Sequence, residues 1–419
     1  MTGISRSDRL QTETEKVPKD PRTAYQRDRD RILYAPEFRR LAAVTQVAAS
    51  HETLLFHTRL THTIKVAQLA RRLAERLQSS SEIIDPDVAE ASALAHDLGH
   101  PPFGHIAEER LDQLMLERGI ADGFEGNAQS FRIVTHLSTH SSGRIGLNLT
   151  RATLQALTKY PWRRETTGKR NRKYGAYAAE DADFTWSREG LPHPQQAEQT
   201  PEAAIMDWAD DVAYALHDLD DFYTAGLVPL DRLSRDTDEQ ERFLARTRER
   251  WARQKRVLTD EEWRAHEQIA ATLFAEFPSE REPTHLMRRL TASKANLFTS
   301  GLSLANGVIV EDADMRRQLD LLKSLTWTYV IESPALATQQ AGQRLVVESL
   351  FNYYHEAIKT TPHALPFWAQ RLAPQAEDSA ERSRLACDIV ASLTEAQAVA
   401  VFGRITGSNP GSILDSLQD

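Results

Sequence analysis

A few residues are typed and spaced for metal-assisted hydrolysis. His62 lies four residues before Val66 and seven before Leu69, which on a helix puts it on the apolar face. An inward histidine is more often a core residue than a ligand, so it needs company. His96-Asp97 supplies it, at the end of the small-residue segment VAEASALAHDLGH. A histidine suits a helix C-terminus, whereas an aspartate there opposes the dipole and calls for a cation. Asp210, Tyr214 and Asp218 recur every four residues and so share one face of a third helix; a solvated acidic face is the plainer alternative. Imidazole and carboxylate suit Mn, Fe, Co, Ni or Zn, with positions left for water and a phosphate oxygen. His62, His96, Asp97 and Asp210 are therefore the candidate ligands. His105 and Glu108, one turn apart, could move a proton to or from a reacting group; an ordinary surface pair is the alternative.

Elements must hold these groups. Leu60 to Leu77 carries apolar residues at helical spacing, which predicts a helix bearing His62. Asp85-Pro86 is a cap followed by proline at the first helical position, and the helix it opens ends at Gly99 and Pro101-Pro102. Gly104 allows a new helix to begin with His105. Thr200-Pro201-Glu202 opens the helix that carries Asp210 by the same cap logic. Alternating strand patterns are nearly absent, and only 173–186 (KYGAYAAEDADFTW) suggests a short β-hairpin. The expected fold is all-α. Residues 1–20 are polar and read as a mobile tail. Residues 21–225 form the catalytic core, with a basic then acidic insertion near 136–200. Residues 226–419 complete the helical shell.

The chain has 419 residues, 41% of them hydrophobic and 26% charged, enough for a sizeable core. Six of its 14 histidines fall between 51 and 105, where an even spread would place fewer than two. The single cysteine excludes an internal disulfide and a thiolate zinc site. No run of 18 apolar residues predicts a membrane span, and the first residues lack an apolar signal core. A cytoplasmic setting is expected. The net charge of −9 argues against a general nucleic-acid coat, although a local basic patch can still bind phosphates.

The order H … HD … D resembles the HD phosphohydrolase superfamily. Flanking segments sharpen this: RDRDRILYAPEFRRLAAVTQV, TRLTHTIKVAQLAR, HDLGHPPFGHIAE, GFEGNAQSFRIV, GLNLT, KYPW and MDWADDVAYALHDLDD follow one another. They look like the bacterial deoxyguanosinetriphosphate triphosphohydrolase (dGTPase-like) family. The resemblance runs from about Arg27 to about Asp221 and continues more loosely beyond. It implies an HD-domain helical fold and hydrolysis of deoxynucleoside triphosphates, dGTP among them, to deoxynucleoside plus inorganic triphosphate. By this similarity His62, His96, Asp97 and Asp210 hold a divalent metal (Mn, Fe, Co or similar), with Mg accompanying the triphosphate. Asp210 is chosen over Asp211 because the family's last ligand lies four residues before the active-site tyrosine, here Tyr214. His105 and Glu108 match catalytic residues. Arg59 and His100 match phosphate-side residues, and Gln46, Tyr214 and Asp218 match residues around the deoxyribose. Gly126 stands where some relatives carry histidine, so a role for that histidine does not transfer. The resemblance also implies a homo-oligomer, a hexamer being one form. Two rival readings stand beside it. One is another HD-type nucleotide phosphohydrolase. The other is a dNTP-sensing or nucleic-acid-binding regulator with a vestigial site, in which the basic run Arg163–Lys173 holds DNA or an allosteric nucleotide.

Overall fold

The computed structural model describes residues 3–12, 20–45, 57–79, 83–140, 145–192, 197–279, 285–331, 334–409 and 411. Helices α1 (Ala24–Tyr34), α2 (Pro36–Arg40), α3 (Arg59–Gln78), α4 (Pro86–Ala95) and α5 (His105–Glu117) come first. Then follow α6 (Gly126–Arg132), α7 (Arg151–Leu157), α8 (Asp181–Arg188) and α9 (Pro201–Thr224). Short and charged helices α10 (Leu230–Leu233), α11 (Thr237–Arg253), α12 (Asp260–Ala275) and α13 (His285–Phe298) lead to a hairpin of β1 (Leu302–Ala305) and β2 (Val308–Glu311). The chain ends with α14 (Ala313–Thr326), α15 (Pro334–Thr360), α16 (Phe367–Gln370), α17 (Ser379–Ser392) and α18 (Glu395–Ile405). The fold is the expected helical one. No helix among the described residues is long and apolar enough to cross a membrane.

Local chemistry sets the helix starts. The Thr58 hydroxyl accepts from Thr61 N–H ahead of α3, Asp85 caps α4, and Thr200 accepts from Ala203 N–H ahead of α9. Pro86 and Pro201 follow their caps, where a missing N–H costs nothing. Helices α3, α4 and α9 pack on one another in the larger apolar core, through residues such as Val66, Leu73, Leu94 and Ala209. A second core joins α5 to the C-terminal half. Ala107, Leu111, Leu114 and Met115 pack with Val347, Phe351, Ile389 and Val401. The face of α5 opposite His105 is thus buried against α15 and α17, in a core that α18 also joins.

Two expectations are corrected. The hairpin lies at 302–311, not at 173–186. Asn306 and Gly307 both have positive φ, 53° and 80°, the conformation that a two-residue turn between twisted strands requires. Residues 173–186 instead end in a short 3-10 turn and α8, where Asp181 and Asp183 in the first turn suit the helix dipole. Nor is the N-terminus wholly a free tail. Arg6 pairs with buried Glu202, Arg9 pairs with buried Asp28 at 2.6 Å, and Gln11 bonds to Asn148. These charges tie residues 3–12 to the body; residues 13–19 lie outside the described residues.

Candidate active site

Three segments converge where α3 begins, α4 ends and α9 passes its midpoint. His62 is fully buried on α3, and His96 and Asp97 follow the last turn of α4 at 3% exposure each. Ligand atoms of His62, His96 and Asp97 all lie within 4.8 Å of one another. Asp210 closes the ring from α9. Its Oδ1 lies 3.0 Å from His62 Nε2 and 3.5 Å from His96 Nε2. Asp211 points elsewhere, to Arg316 and Lys323 at 2.5 and 2.6 Å.

A divalent cation fits this donor set. His96 Nδ1 donates to the Ala93 carbonyl at 2.6 Å, which leaves Nε2 facing Asp97 and Asp210. That buried Nε2 has no hydrogen-bond partner among the described residues. Burial lowers the His96 pKa, but Asp97 and Asp210 outweigh it and lift it to about 9. Burial would raise Asp97, yet His96, Arg59 and His100 hold it well below the usual carboxylate range. Lys159 and His96 do the same for Asp210 against its burial. The ring therefore offers two carboxylates held ionised and one imidazole nitrogen without a hydrogen-bond partner among the described residues.

Cations surround the ring, each held by a site carboxylate. Arg59, 2% exposed at the first turn of α3, donates to Asp97 at 3.0 Å. Lys159 bridges Asp207 at 2.7 Å and Asp210 at 2.8 Å. Lys173 bridges Glu108 at 2.9 Å and Glu125 at 3.0 Å. His100 Nδ1 sits 3.0 Å from Asp97 Oδ1.

Gly104, with φ 58°, turns the chain into α5, so that His105 stands at its first position and Glu108 one turn on. Desolvation by the surrounding protein lowers the His105 pKa, Glu108 opposes the fall, and the residue's exposure to solvent limits it. The imidazole is thus neutral near pH 7. Glu108 Oε1 accepts from Lys173 and, at 3.3 Å, from Gly126 N–H. Its Oε2 is buried and unpaired among the described residues. Burial favours the neutral acid, but Lys173 above all overcomes it and holds the Glu108 pKa below the usual carboxylate range. Gly126 lies against His100: a Cβ there would stand 3.2 Å from its ring.

On α9, Tyr214 hydrogen-bonds to buried Asp218. Burial and the neighbouring Asp221 push the Asp218 carboxyl well above the usual carboxylate range. Gln46 and His51 lie outside the described residues. His57, unassigned by sequence, bonds Asp221 through Nδ1 at 2.6 Å and stacks on His217 at 4.5 Å. The basic run folds onto α5 and its neighbours: Arg164 pairs with Asp112, Arg163 with Asp181 at 2.8 Å, and Arg170 with Glu165 at 2.6 Å. The sequence reading missed Lys173 as a partner of Glu108 and Arg40 beneath the loop after Asp97. The run of charges was the only sign of the first.

Residues 59–215 match the HD domain, and residues 309–404 match the phosphohydrolase-associated domain. A deoxyguanosinetriphosphate triphosphohydrolase-like protein of Streptomyces coelicolor is 36% identical over 92% of this chain and 93% of its own. The chain belongs to the deoxyguanosinetriphosphate triphosphohydrolase-like family. A namesake from Ruegeria is 33% identical over 92% of this chain and 93% of its own. One from Bifidobacterium longum reaches 42% over 49% of this chain and 43% of its own. The matched HD region begins at Arg59 and ends just after Tyr214, so it spans His62, His96, Asp97 and Asp210. HD phosphohydrolase chemistry at a metal-binding His/Asp cluster is the family's common ground.

Proposed function

We propose that this protein hydrolyses deoxynucleoside triphosphates to deoxynucleoside and inorganic triphosphate. The observation that carries this reading is the set of three cations, Arg59, Lys159 and Lys173, crowded around a His/Asp ring in a chain of net charge −9. A polyanion needs such local charge, and guanidinium suits phosphate through paired donors. His62, His96, Asp97 and Asp210 would hold the divalent ion, which when bound polarises a phosphate oxygen and acidifies water. Arg59, His100 and Lys159 bind the phosphate chain. Tyr214 and Asp218 face the sugar and offer it hydrogen-bonding groups. Water attacks the α-phosphorus and the P–O5′ bond breaks. The neutral imidazole of His105 accepts the water's proton and passes it to O5′, so that an alcohol leaves. Glu108, ionised and anchored by Lys173, stabilises the charged imidazole between these transfers.

The test is a panel of the four dNTPs and GTP with varied divalent metals, reading triphosphate and nucleoside together. Triphosphate is the expected product. Release of orthophosphate or pyrophosphate instead would assign the site to another HD phosphohydrolase reaction. In the same assay His105→Ala is expected to lose at least about 10²-fold in turnover; near wild-type turnover would remove His105 from the chemistry.

A further inference from the structure

A buried carboxylate from the C-terminal half sits where the segments of the active site meet. Glu395, 4% exposed, is the first residue of α18. Its Oε1 accepts from the Thr45 N–H at 3.1 Å, from the Thr45 hydroxyl, and from the Phe103 N–H at 3.4 Å. Thr45 pairs antiparallel with Thr58, the cap of α3, and Arg59 N–H donates to Val44 O at 3.0 Å. This one oxygen thus steadies the entry to Arg59 and His62 and also holds Phe103, two residues before His105. Phe103 has φ 66° and Gly104 φ 58°. The left-handed region is costly for phenylalanine and persists only where surroundings enforce it. Arg40 works on the same loop from below. Its Nη2 donates to Leu98 O and His100 O, both at 2.8 Å, and its Nη1 to Leu393 O at 3.1 Å, two residues before Glu395.

We infer that Glu395, together with Arg40, is a positioning residue: it fixes the 98–104 loop and the 44–45 segment in the geometry that aims His100 and His105 at the substrate. The C-terminal helices therefore set turnover as well as completing the shell. This rests on the proposed hydrolase reading. Removing the anchor frees the strained Phe103–Gly104 turn to relax, and a displacement of about 1 Å at a reacting group can cost about 10²-fold in rate.

Full-length, metal-loaded wild type is compared with Glu395→Ala, Glu395→Gln and Gln397→Ala. Gln397 caps the same helix end through Thr394 and serves as the stability control. Glu395→Ala is expected to lower kcat about 10- to 100-fold with KM unchanged, and to speed amide exchange at 98–100 and 103–104. Glu395→Gln keeps a carbonyl oxygen for the same donors and restores most of the turnover. Gln397→Ala lowers Tm without touching kcat or loop exchange. The inference is overturned if Glu395→Ala keeps wild-type kcat and loop exchange, or if Gln397→Ala matches its loss of kcat. Should Glu395→Ala fail to fold, Thr45→Val removes one donor and should show smaller changes of the same sign; none would overturn the idea. If wild type releases no triphosphate from any dNTP, the functional reading fails. Loop exchange alone then decides the positioning role.

Discussion

Asp210 and Asp211 are neighbours with opposite surroundings. Asp210 faces His62 and His96, whereas Asp211 is held by Arg316 and Lys323. Asp210→Ala should therefore abolish bound metal, measured by elemental analysis after dialysis. Asp211→Ala should retain it and lose stability instead. Metal loss confined to the Asp211 variant would reverse the assignment. His96 yields a second prediction. With its pKa raised to about 9, the metal-free imidazole is protonated at neutral pH, and an incoming cation must displace that proton. Metal affinity should rise with pH, by up to about tenfold per unit for one proton, and level off above about 9. Titrations at two pH values in buffers of different ionisation enthalpy check this; an affinity independent of pH would contradict it. For the metal-free fold the sign is opposite. A folded pKa raised from 6.5 to about 9 stabilises fully below 6.5, and that contribution disappears as pH rises through 9. At this scale the sequence was informative because six of the 14 histidines crowd between residues 51 and 105. The partners of those residues were not legible: nothing in the spacing ties Lys173 to Glu108, 65 residues away.

The loop between α4 and α5 is the element on which the site depends most. Gly99 sits against α6, where a Cβ would stand 2.3 Å from both Gly126 O and Ser130 N. Backbone cannot yield as a flexible side chain can. Gly99→Ala is expected to destabilise the fold by about 1–3 kcal/mol and to lower activity, read by denaturant melts beside the hydrolysis assay. A neutral melt would show that α6 moves aside. Element boundaries were legible where local physics decides them, as in Asp85-Pro86 and Thr200-Pro201. The hairpin was misplaced because four-residue strands carry too little alternation to outweigh an aromatic-rich stretch. The Asn306-Gly307 turn was the available signal. The contact between Glu395 and Phe103 spans 292 residues, and no periodicity reaches that far.

Across the whole molecule, α5 belongs to two halves at once. It carries His105 and Glu108 on one side and buries Leu111 and Met115 in the C-terminal core on the other. Leu111→Ala should cost about 2–5 kcal/mol in a urea melt and lower turnover as α5 loses its seat. Unchanged stability would show that the core closes over the cavity without strain. The helical class was legible from composition and periodicity. How the C-terminal half joins α5 was not, because apolar faces declare that they will be buried but not against which partner.

The carboxylates that hold Arg59 and Lys159 have a consequence for selection among ligands on the proposed reading. A resting site that supplies its own anions asks any newcomer to outbid several carboxylates together. A triphosphate can do so, because one chain reaches several cations at once. A single phosphate group gains one partner while the other cations stay engaged. On the proposed reading the site thus selects first by charge.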